Sequence, residues 1–289
     1  MQDSSGLAPL AEGALPRAAA LSALVGWNQT EADWRLFRDH GQVRALDDGH
    51  PRALAATAAA LPYGPGVAWI SMVLVRPDMR RRGLAMALVR WAVESLRAAA
   101  LPSIALDATP AGREVYRRLG FRDLWGFGRW ALPPSLPAGP GVAVRPLREG
   151  DWPALLALDA AAFGAPRAFL LRDFAARLPP AALVAEAPGG GGLAGALLAR
   201  DGVRGPQLGP LLADDAATAR ALLAAGLAAL PPGGGPAVID LRDGALGLGD
   251  WLAAHGARVQ RPFTRMALGD ADPPGDPARM AAVAGPEFG

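Results

Sequence analysis

The sequence contains no cysteine and no lysine. The first absence excludes disulfides, thiolate nucleophiles and cysteine-based metal sites. The second means that all 29 basic residues are arginine, so neither a Schiff-base lysine nor a phosphate-loop lysine is available. Histidine is scarce: His40, His50 and His255 are far apart in the chain, and no metal site is expected from them. Charge is also sparse, at 19% against 51% hydrophobic residues, a balance that excludes a disordered chain. Most routes to covalent catalysis are closed by composition alone.

What is present is a chain of 289 residues, long enough to predict two domains, with small alanine-rich cores. Its 36 glycines and 28 prolines stay short of low-complexity sequence. Net charge is +2, but the two halves differ. Up to residue 139 there are 16 arginines against 12 acidic residues, and beyond it 13 against 15. The basic half points to an anionic ligand, with too little clustered charge to predict nucleic-acid binding. Met1-Gln2-Asp3-Ser4-Ser5 lacks the charged start and apolar core of a signal peptide. The 23 uncharged residues between Arg52 and Arg76 are long enough to span a bilayer, but Pro62-Tyr63-Gly64-Pro65-Gly66 splits them into a hairpin. A cytoplasmic protein without membrane contact is predicted.

The chain repeats itself. Pro9-Leu10-x-Glu12-Gly13-x-x-Pro16 recurs as Pro146-Leu147-x-Glu149-Gly150-x-x-Pro153, an offset of 137. Gly120 with Phe127-x-Arg129-x-Ala131-Leu132 recurs as Gly256 with Phe263-x-Arg265-x-Ala267-Leu268, an offset of 136. Two matches at opposite ends with nearly one offset predict a duplicated domain. Residues 1–135 form the first copy, 136–141 fall in the Pro/Gly linker, 142–268 form the second copy and 269–289 a tail. In the first copy, strands are expected at Gly6–Leu10, Gln42–Leu46, Pro51–Leu61, Val67–Val75, Ser103–Asp107 and Arg122–Ala131. Helices are expected at Leu15–Val25, from Thr30, at Gly83–Arg97 with Leu84, Leu88, Trp91 and Ser95 on one face, and at Ala111–Leu119, where Glu114 and Arg118 would form an outward i, i+4 ion pair. This is an α/β (α+β) chain.

The stretch Val73-Leu74-Val75-Arg76-Pro77 followed by Arg80-Arg81-Arg82-Gly83-Leu84-Ala85-Met86 reads as an apolar strand, an arginine turn and a helix start. The first helical amides lack partners and the helix dipole adds positive charge there. Gly83 and Ala85 leave the backbone open, so a pyrophosphate can approach the amides of Arg81 to Met86, with Arg76, Arg80, Arg81 and Arg82 around it. Neither the Gly-Lys-Ser/Thr phosphate loop nor Gly-x-Gly-x-x-Gly is present.

These residues resemble the GNAT superfamily of N-acetyltransferases: Val73-x-Val75-x-Pro77-x-x-Arg80-x-Arg82-Gly83-x-Ala85, then Tyr116-x-x-x-Gly120-Phe121. Trp27-Asn28-Gln29-Thr30, Ala68-Trp69-Ile70-x-Met72-Val73-Leu74-Val75 and Leu106-Asp107-Ala108-Thr109-Pro110-Ala111-Gly112-Arg113 look like a bacterial subgroup with two such domains in tandem. Ala85 stands where many members have glycine, and Thr109 where many have asparagine. The resemblance implies two GNAT-like domains, each a mixed, mostly antiparallel central sheet flanked by helices. It implies acetyl-CoA as cosubstrate, held by Met72, Val73, Leu74, Val75, Arg80 to Met86, Thr109, Gly112 and Tyr116. Asn28, Gln29 and Trp69 would border the acceptor groove.

Acyl transfer needs a neutral amine, oxyanion stabilisation and a proton for the departing thiolate. Tyr116 is the candidate acid, against a core tyrosine as the alternative. Asp107 is the candidate base, against an aspartate bonding its own turn. Asp33 is a second candidate base, although Thr30-x-x-Asp33 fits a helix capping box. Water relay would need no base. In the second copy the cradle falls at Leu211–Thr218, where Asp214 and Asp215 replace the arginines and Leu252 replaces Tyr116. That copy is expected not to bind CoA, and either to wall the acceptor groove near Asp240 to Asp243 or to give structural support. The sequence therefore predicts an acetyl-CoA-dependent N-acetyltransferase, monomer or homodimer, acting on a small-molecule or peptide amine. The rival is a non-catalytic acyl-CoA sensor.

Overall fold

The computed structural model describes residues 6–138, 141–187, 189, 191–269 and 272–289. The N-terminal pentapeptide, Gly139 and Pro140 of the linker, Gly190 of the glycine run and the start of the tail at 270–271 lie outside the described residues. The first repeat runs β1 (Leu7–Pro9), α1 (Leu15–Leu24), α2 (Glu31–His40), β2 (Gln42–Leu46), β3 (Ala56–Tyr63), β4 (Val67–Val75), α3 (Leu84–Ala98), β5 (Ser103–Ala108), α4 (Pro110–Arg117) and β6 (Arg122–Ala131). The second runs β7 (Val144–Pro146), α5 (Trp152–Phe163), α6 (Ala168–Arg177), β8 (Leu183–Glu186), β9 (Leu193–Arg200), β10 (Gln207–Ala213), α7 (Ala216–Ala228), β11 (Val238–Arg242), α8 (Leu248–Ala254) and β12 (Arg258–Leu268). A short β13 (Met280–Ala282) follows.

The sequence repeat is a structural one. The strands β1 and β7 each lead into a one-turn 3-10 helix, at Glu12–Ala14 and Glu149–Asp151. Gly120 and Gly256 both take φ +88°, the left-handed conformation that glycine adopts without a Cβ clash. Behind them Phe121 N–H bonds Tyr116 O at 3.1 Å and Ala257 N–H bonds Leu252 O at 3.0 Å. The uncharged run becomes the buried β3–β4 hairpin. No single helix among the described residues is long and apolar enough to cross a membrane, and the apolar pair α5–α6 is bent by 119°.

Three local expectations are corrected. The strand expected from Pro51 starts at Ala56, because the His50 ring accepts the amides of Arg52 and Ala53, each at 3.3 Å, and holds a turn there. The buried face of α3 is Leu88, Val89, Ala92, Val93 and Leu96, while Ser95 turns out to bond Gln42 at 3.0 Å. Glu114 pairs with Arg117 rather than Arg118, since Asp123 draws Arg113 and Arg117 together.

The strand order is β1-β2-β3-β4-β5-β12-β6-β11-β13-β10-β9-β8-β7. Each repeat gives its last long strand to the other: β12 pairs antiparallel with β5, and β6 pairs antiparallel with β11. Between them β6 and β12 pair along nearly their whole length, so the two sheets fuse into one. A matched pair of ion pairs spans the exchanged strands. Arg265 of β12 holds Asp107 of β5 at 2.8 and 2.9 Å, and Arg129 of β6 holds Asp240 of β11 at 2.7 and 2.8 Å. The repeated Phe-x-Arg of the sequence is therefore the joint between the repeats.

One apolar cluster is shared by both copies, joining Trp34, Phe37 and Trp69 to Phe163, Phe174 and Phe288. Separate clusters lie under α3 and α4 in the first copy and under α7 and α8 in the second. The tail is ordered: residues 280–289 are all buried, and Phe288 stacks on Phe37 at 4.7 Å.

Candidate active site

Strands β4 and β5 run parallel and pair only from Val67 to Trp69 against Ser103 to Ala105. Beyond that point they diverge, which leaves an edge of β4 unpaired toward its C-terminal end. The divergence coincides with a bulge: Met72 and Val73 stand opposite Ala58 alone, and Met72 takes φ +53°. Left-handed backbone in a methionine costs about 1–3 kcal/mol and persists where surrounding structure enforces it. Here Thr57 Oγ1 donates to Met72 O at 2.9 Å. The Ser71 hydroxyl beside the bulge is buried and has no hydrogen-bond partner among the described residues.

The strand leads into the arginine turn. Arg81 takes φ +61° and Gly83 φ +77°, and consecutive amides in alternating conformations form a concavity suited to an anion. Gly83 is the N-cap of α3 and no side chain caps that end. Its first helical bond is Ala87 N–H to Gly83 O at 3.0 Å, so the amides of Leu84, Ala85 and Met86 have no partner within the helix. Arg80, Arg81 and Arg82 are exposed around it, and among the described residues their guanidiniums make only two weak contacts, Arg80 to Val75 O and Arg82 to Asp78 O. Arg76 is not among them. It is buried in bidentate pairs with Asp48 and Asp78, so its charge is neutralised away from the cradle.

On the far side of the opening, Thr109 caps α4 by accepting Gly112 N–H at 3.2 Å. A Cβ on Gly112 would lie 3.0 Å from the Tyr116 ring, so the glycine lets the phenol lie flat on the helix. Tyr116 packs against Phe121 and the cluster under α3. Burial pushes its phenol up to about 12, with no neighbouring charge acting against it.

Asp107 ends up with its side chain fully buried at the edge of the same opening, both oxygens bonded by Arg265. Burial outweighs the arginine and lifts its carboxyl to about 6. Folded Asp107 thus binds its proton more tightly than the unfolded chain does. Its contribution to stability falls as pH rises from about 4 to 6, above the window in which Asp47, Asp48, Asp123 and Asp151, each lowered to about 2 by arginine, titrate. Denaturant unfolding between pH 4 and pH 6 is expected to show that slope in the native chain and a shallower one in Asp107→Asn, where Asp173, also raised by burial, still contributes; an unchanged slope would contradict the assignment.

The acceptor-side residues are more enclosed than the sequence suggested. Trp69 is buried, donates Nε1–H to Pro286 O at 3.1 Å, and has Arg265 over its ring at 4.6 Å. It faces the tail and the second repeat, not an open groove, because the exchanged strand and the tail cover β4 on that side. Asn28 docks the α1–α2 loop onto the second copy, donating to Gly205 O at 3.0 Å and accepting Arg204 N–H at 2.8 Å. Gln29 is buried with Oε1 unpartnered among the described residues. Asp33 completes the capping box with Thr30 and also pairs with Arg177 and Arg200.

The second copy has the same frame and a closed site. Asp215 caps α7 by accepting Thr218 N–H at 2.9 Å, and that bond lowers its carboxyl. Asp214 pairs with Arg279. Where β10 and β11 diverge after Leu208 and Ile239, β13 fills the gap by pairing with both. Leu252 is buried at the position of Tyr116. Arg261 and Arg204, which the second copy places beside the first, had no signal in the sequence, because only strand exchange and the docking of the β9–β10 loop on Asn28 bring them there; Arg265 was visible only as part of the repeat.

Residues 18–121 match the acetyltransferase (GNAT) family and residues 155–280 match an acetyltransferase (GNAT) domain. No curated protein matches the chain. Among solved structures, a candidate acetyltransferase from Pyrococcus horikoshii is 18% identical, covering 100% of this chain and 98% of its own, with a TM-score of 0.77. A tandem GNAT protein from the clavulanic acid biosynthesis pathway is 17% identical over 92% of this chain and 99% of its own, with a TM-score of 0.65. A GCN5-related N-acetyltransferase from Sphaerobacter thermophilus is 15% identical over 93% and 98%, with a TM-score of 0.61. At such identities the likeness is one of fold.

Proposed function

This chain belongs to the GNAT acetyltransferase family, and from that premise we propose that its first repeat transfers an acetyl group from acetyl-CoA to a primary amine by direct attack on the thioester. The observation that carries this reading is the contrast between the two helix starts. The N-terminus of α3 is uncapped and ringed by three exposed arginines, whereas that of α7 is capped by a carboxylate beside a strand gap already filled. The diphosphate of acetyl-CoA suits the first and is repelled by the second.

The unpaired edge of β4 at Met72 and Val73 offers backbone amides to the pantetheine chain and to the thioester oxygen as negative charge develops on it. The amine attacks the carbonyl carbon, the tetrahedral intermediate collapses, and the carbon–sulfur bond breaks. The amine proton leaves to water or to Asp107. A carboxyl near 6 is basic enough for that task, but its duplicate, Asp240, makes the same arginine pair in a copy with no cradle, which favours water. Tyr116 serves the departing thiolate. Because burial makes the phenol the weaker acid of the two, it acts first as a hydrogen-bond donor to sulfur.

Titration calorimetry of the whole protein with acetyl-CoA tests the cradle, and absence of binding removes this reading. Free-thiol release over a panel of amines then separates an enzyme from an acyl-CoA sensor. Tyr116→Phe is expected to lower turnover on the order of 100-fold with acetyl-CoA affinity retained. Unchanged turnover would take Tyr116 out of the mechanism.

A further inference from the structure

Three arginines converge where the repeats meet. A pocket of about 540 Å³ is walled by Gly26 and Asn28 of the α1–α2 loop, Arg204 and Gly205 of the β9–β10 loop, Arg129 of β6 and Arg261 of β12. Arg129 is matched by Asp240. The Arg204 guanidinium, among the described residues, donates only to a backbone carbonyl, Gly26 O, at 3.2 Å. Arg261 has no carboxylate and no hydrogen-bond acceptor among the described residues; its guanidinium lies over the rings of Phe263 at 5.0 Å and Trp27 at 5.9 Å. Burial, with Arg129 as a second cause, pushes Arg261 below the usual arginine value. Arg261, a partly desolvated guanidinium without counter-charge, is unfavourable by itself and, with the exposed Arg204 beside it, favours an arriving anion.

The pocket is aligned with the site already described. Arg261 and Arg265 lie on one face of β12, opposite Arg129 and Trp125 of β6, and Arg265 holds Asp107 at the β4–β5 opening. Four residues of strand separate them, roughly 13 Å. The side chains between are aromatic, with Phe263 stacked on Phe127 at 5.0 Å and Trp125 beside it.

We propose that this interdomain pocket binds an anionic group, carboxylate or phosphate, at the end of the acceptor remote from the reacting amine. The proposal rests on the acetyl-transfer reading for the amine, but the anion site has its own readout. The second repeat, having lost its cradle, thereby supplies acceptor recognition to the first through Arg204 and Arg261. Planar guanidiniums recognise both groups through paired N–H donors.

Calorimetric titration of the full chain at low ionic strength with tetraglycine, tetraglycine amide and aminohexyl phosphate tests it, with acetyl-CoA titrated separately into the same samples. At least one anion-ended probe is expected to bind about tenfold or more tightly than the amide. Arg261→Gln should abolish that preference, Arg261→Lys should keep part of it, and neither should change acetyl-CoA affinity. The anion should raise the melting temperature of the native chain and leave that of Arg261→Gln unchanged. Equal binding of the three probes, binding of none, or a preference that survives Arg261→Gln overturns the proposal. Failure of acetyl-CoA to bind would overturn the acetyl-transfer reading instead. The better of the two anionic probes identifies the group.

Discussion

Replacing Gly83 by aspartate is expected to weaken acetyl-CoA binding about 1,000-fold, because it gives α3 the negative charge that α7 already carries at Asp215. Two effects add. A carboxylate at the helix start competes for the amides of Leu84 to Met86, which otherwise receive a phosphate oxygen. It also sets a like charge against the diphosphate, and such juxtapositions cost several kcal/mol, of which about 4 kcal/mol is the stated thousandfold. The fold should survive. Gly83 sits at φ +77°, a region that aspartate tolerates at a cost of roughly 1 kcal/mol, and the site is exposed. Calorimetry with acetyl-CoA together with a melting curve reads both quantities. Affinity within about threefold of the native chain would mean that the cofactor is held elsewhere.

The second large effect is one of stability. Arg200 is fully buried and bonds Asp33 of the first repeat at 2.9 Å, Gln207 of β10 at 3.0 Å, and Glu287 of the tail. Its guanidinium also lies against Phe174 and Phe288. Arg200→Met would keep most of the volume and remove the charge. Asp33 would still have Arg177, but Glu287 would be left buried without a cationic partner among the described residues. Breaking a buried pair by removing one partner costs about 3–5 kcal/mol. At roughly 2–4 °C per kcal/mol, the melting temperature should fall by at least roughly 6 °C. Adding Glu287→Gln to Arg200→Met should restore part of the loss, since it removes the stranded charge. A loss below about 1 kcal/mol would mean that water reaches the cluster.

Much of the candidate site was legible in the chain because its signals are local. A glycine after three arginines, between an apolar strand and an amphipathic helix, specifies an open helix start whatever the rest of the fold does. Asp215 with Thr218 specifies a closed one for the same reason. Thr30 with Asp33, and Gly120 with Gly256, gave helix ends from the chemistry of a few adjacent residues. The misplaced roles belong to residues whose partners are distant. Arg76 looked like part of the cradle until Asp48 and Asp78 were seen to hold it, and Trp69 looked like a groove wall until Pro286 covered it.

The sequence by itself gave notice of the duplication, the order of elements in the first copy, the open helix start there and its closing by a carboxylate in the second. Each of these is written in short-range pattern, where steric and hydrogen-bond preferences act between neighbours. Only the tertiary structure decided that β6 and β12 change places and that the tail closes the second copy. It also decided that arginines of the second copy face the first. A strand's pattern of alternating residues specifies a face and not a neighbour: Phe127-x-Arg129 and Phe263-x-Arg265 would fit either slot. The exchanged pairing joins Arg129 to Asp240 and Arg265 to Asp107, partners more than a hundred residues apart, and because the arginine and the aspartate are both repeated, no short-range pattern distinguishes it from the unexchanged one.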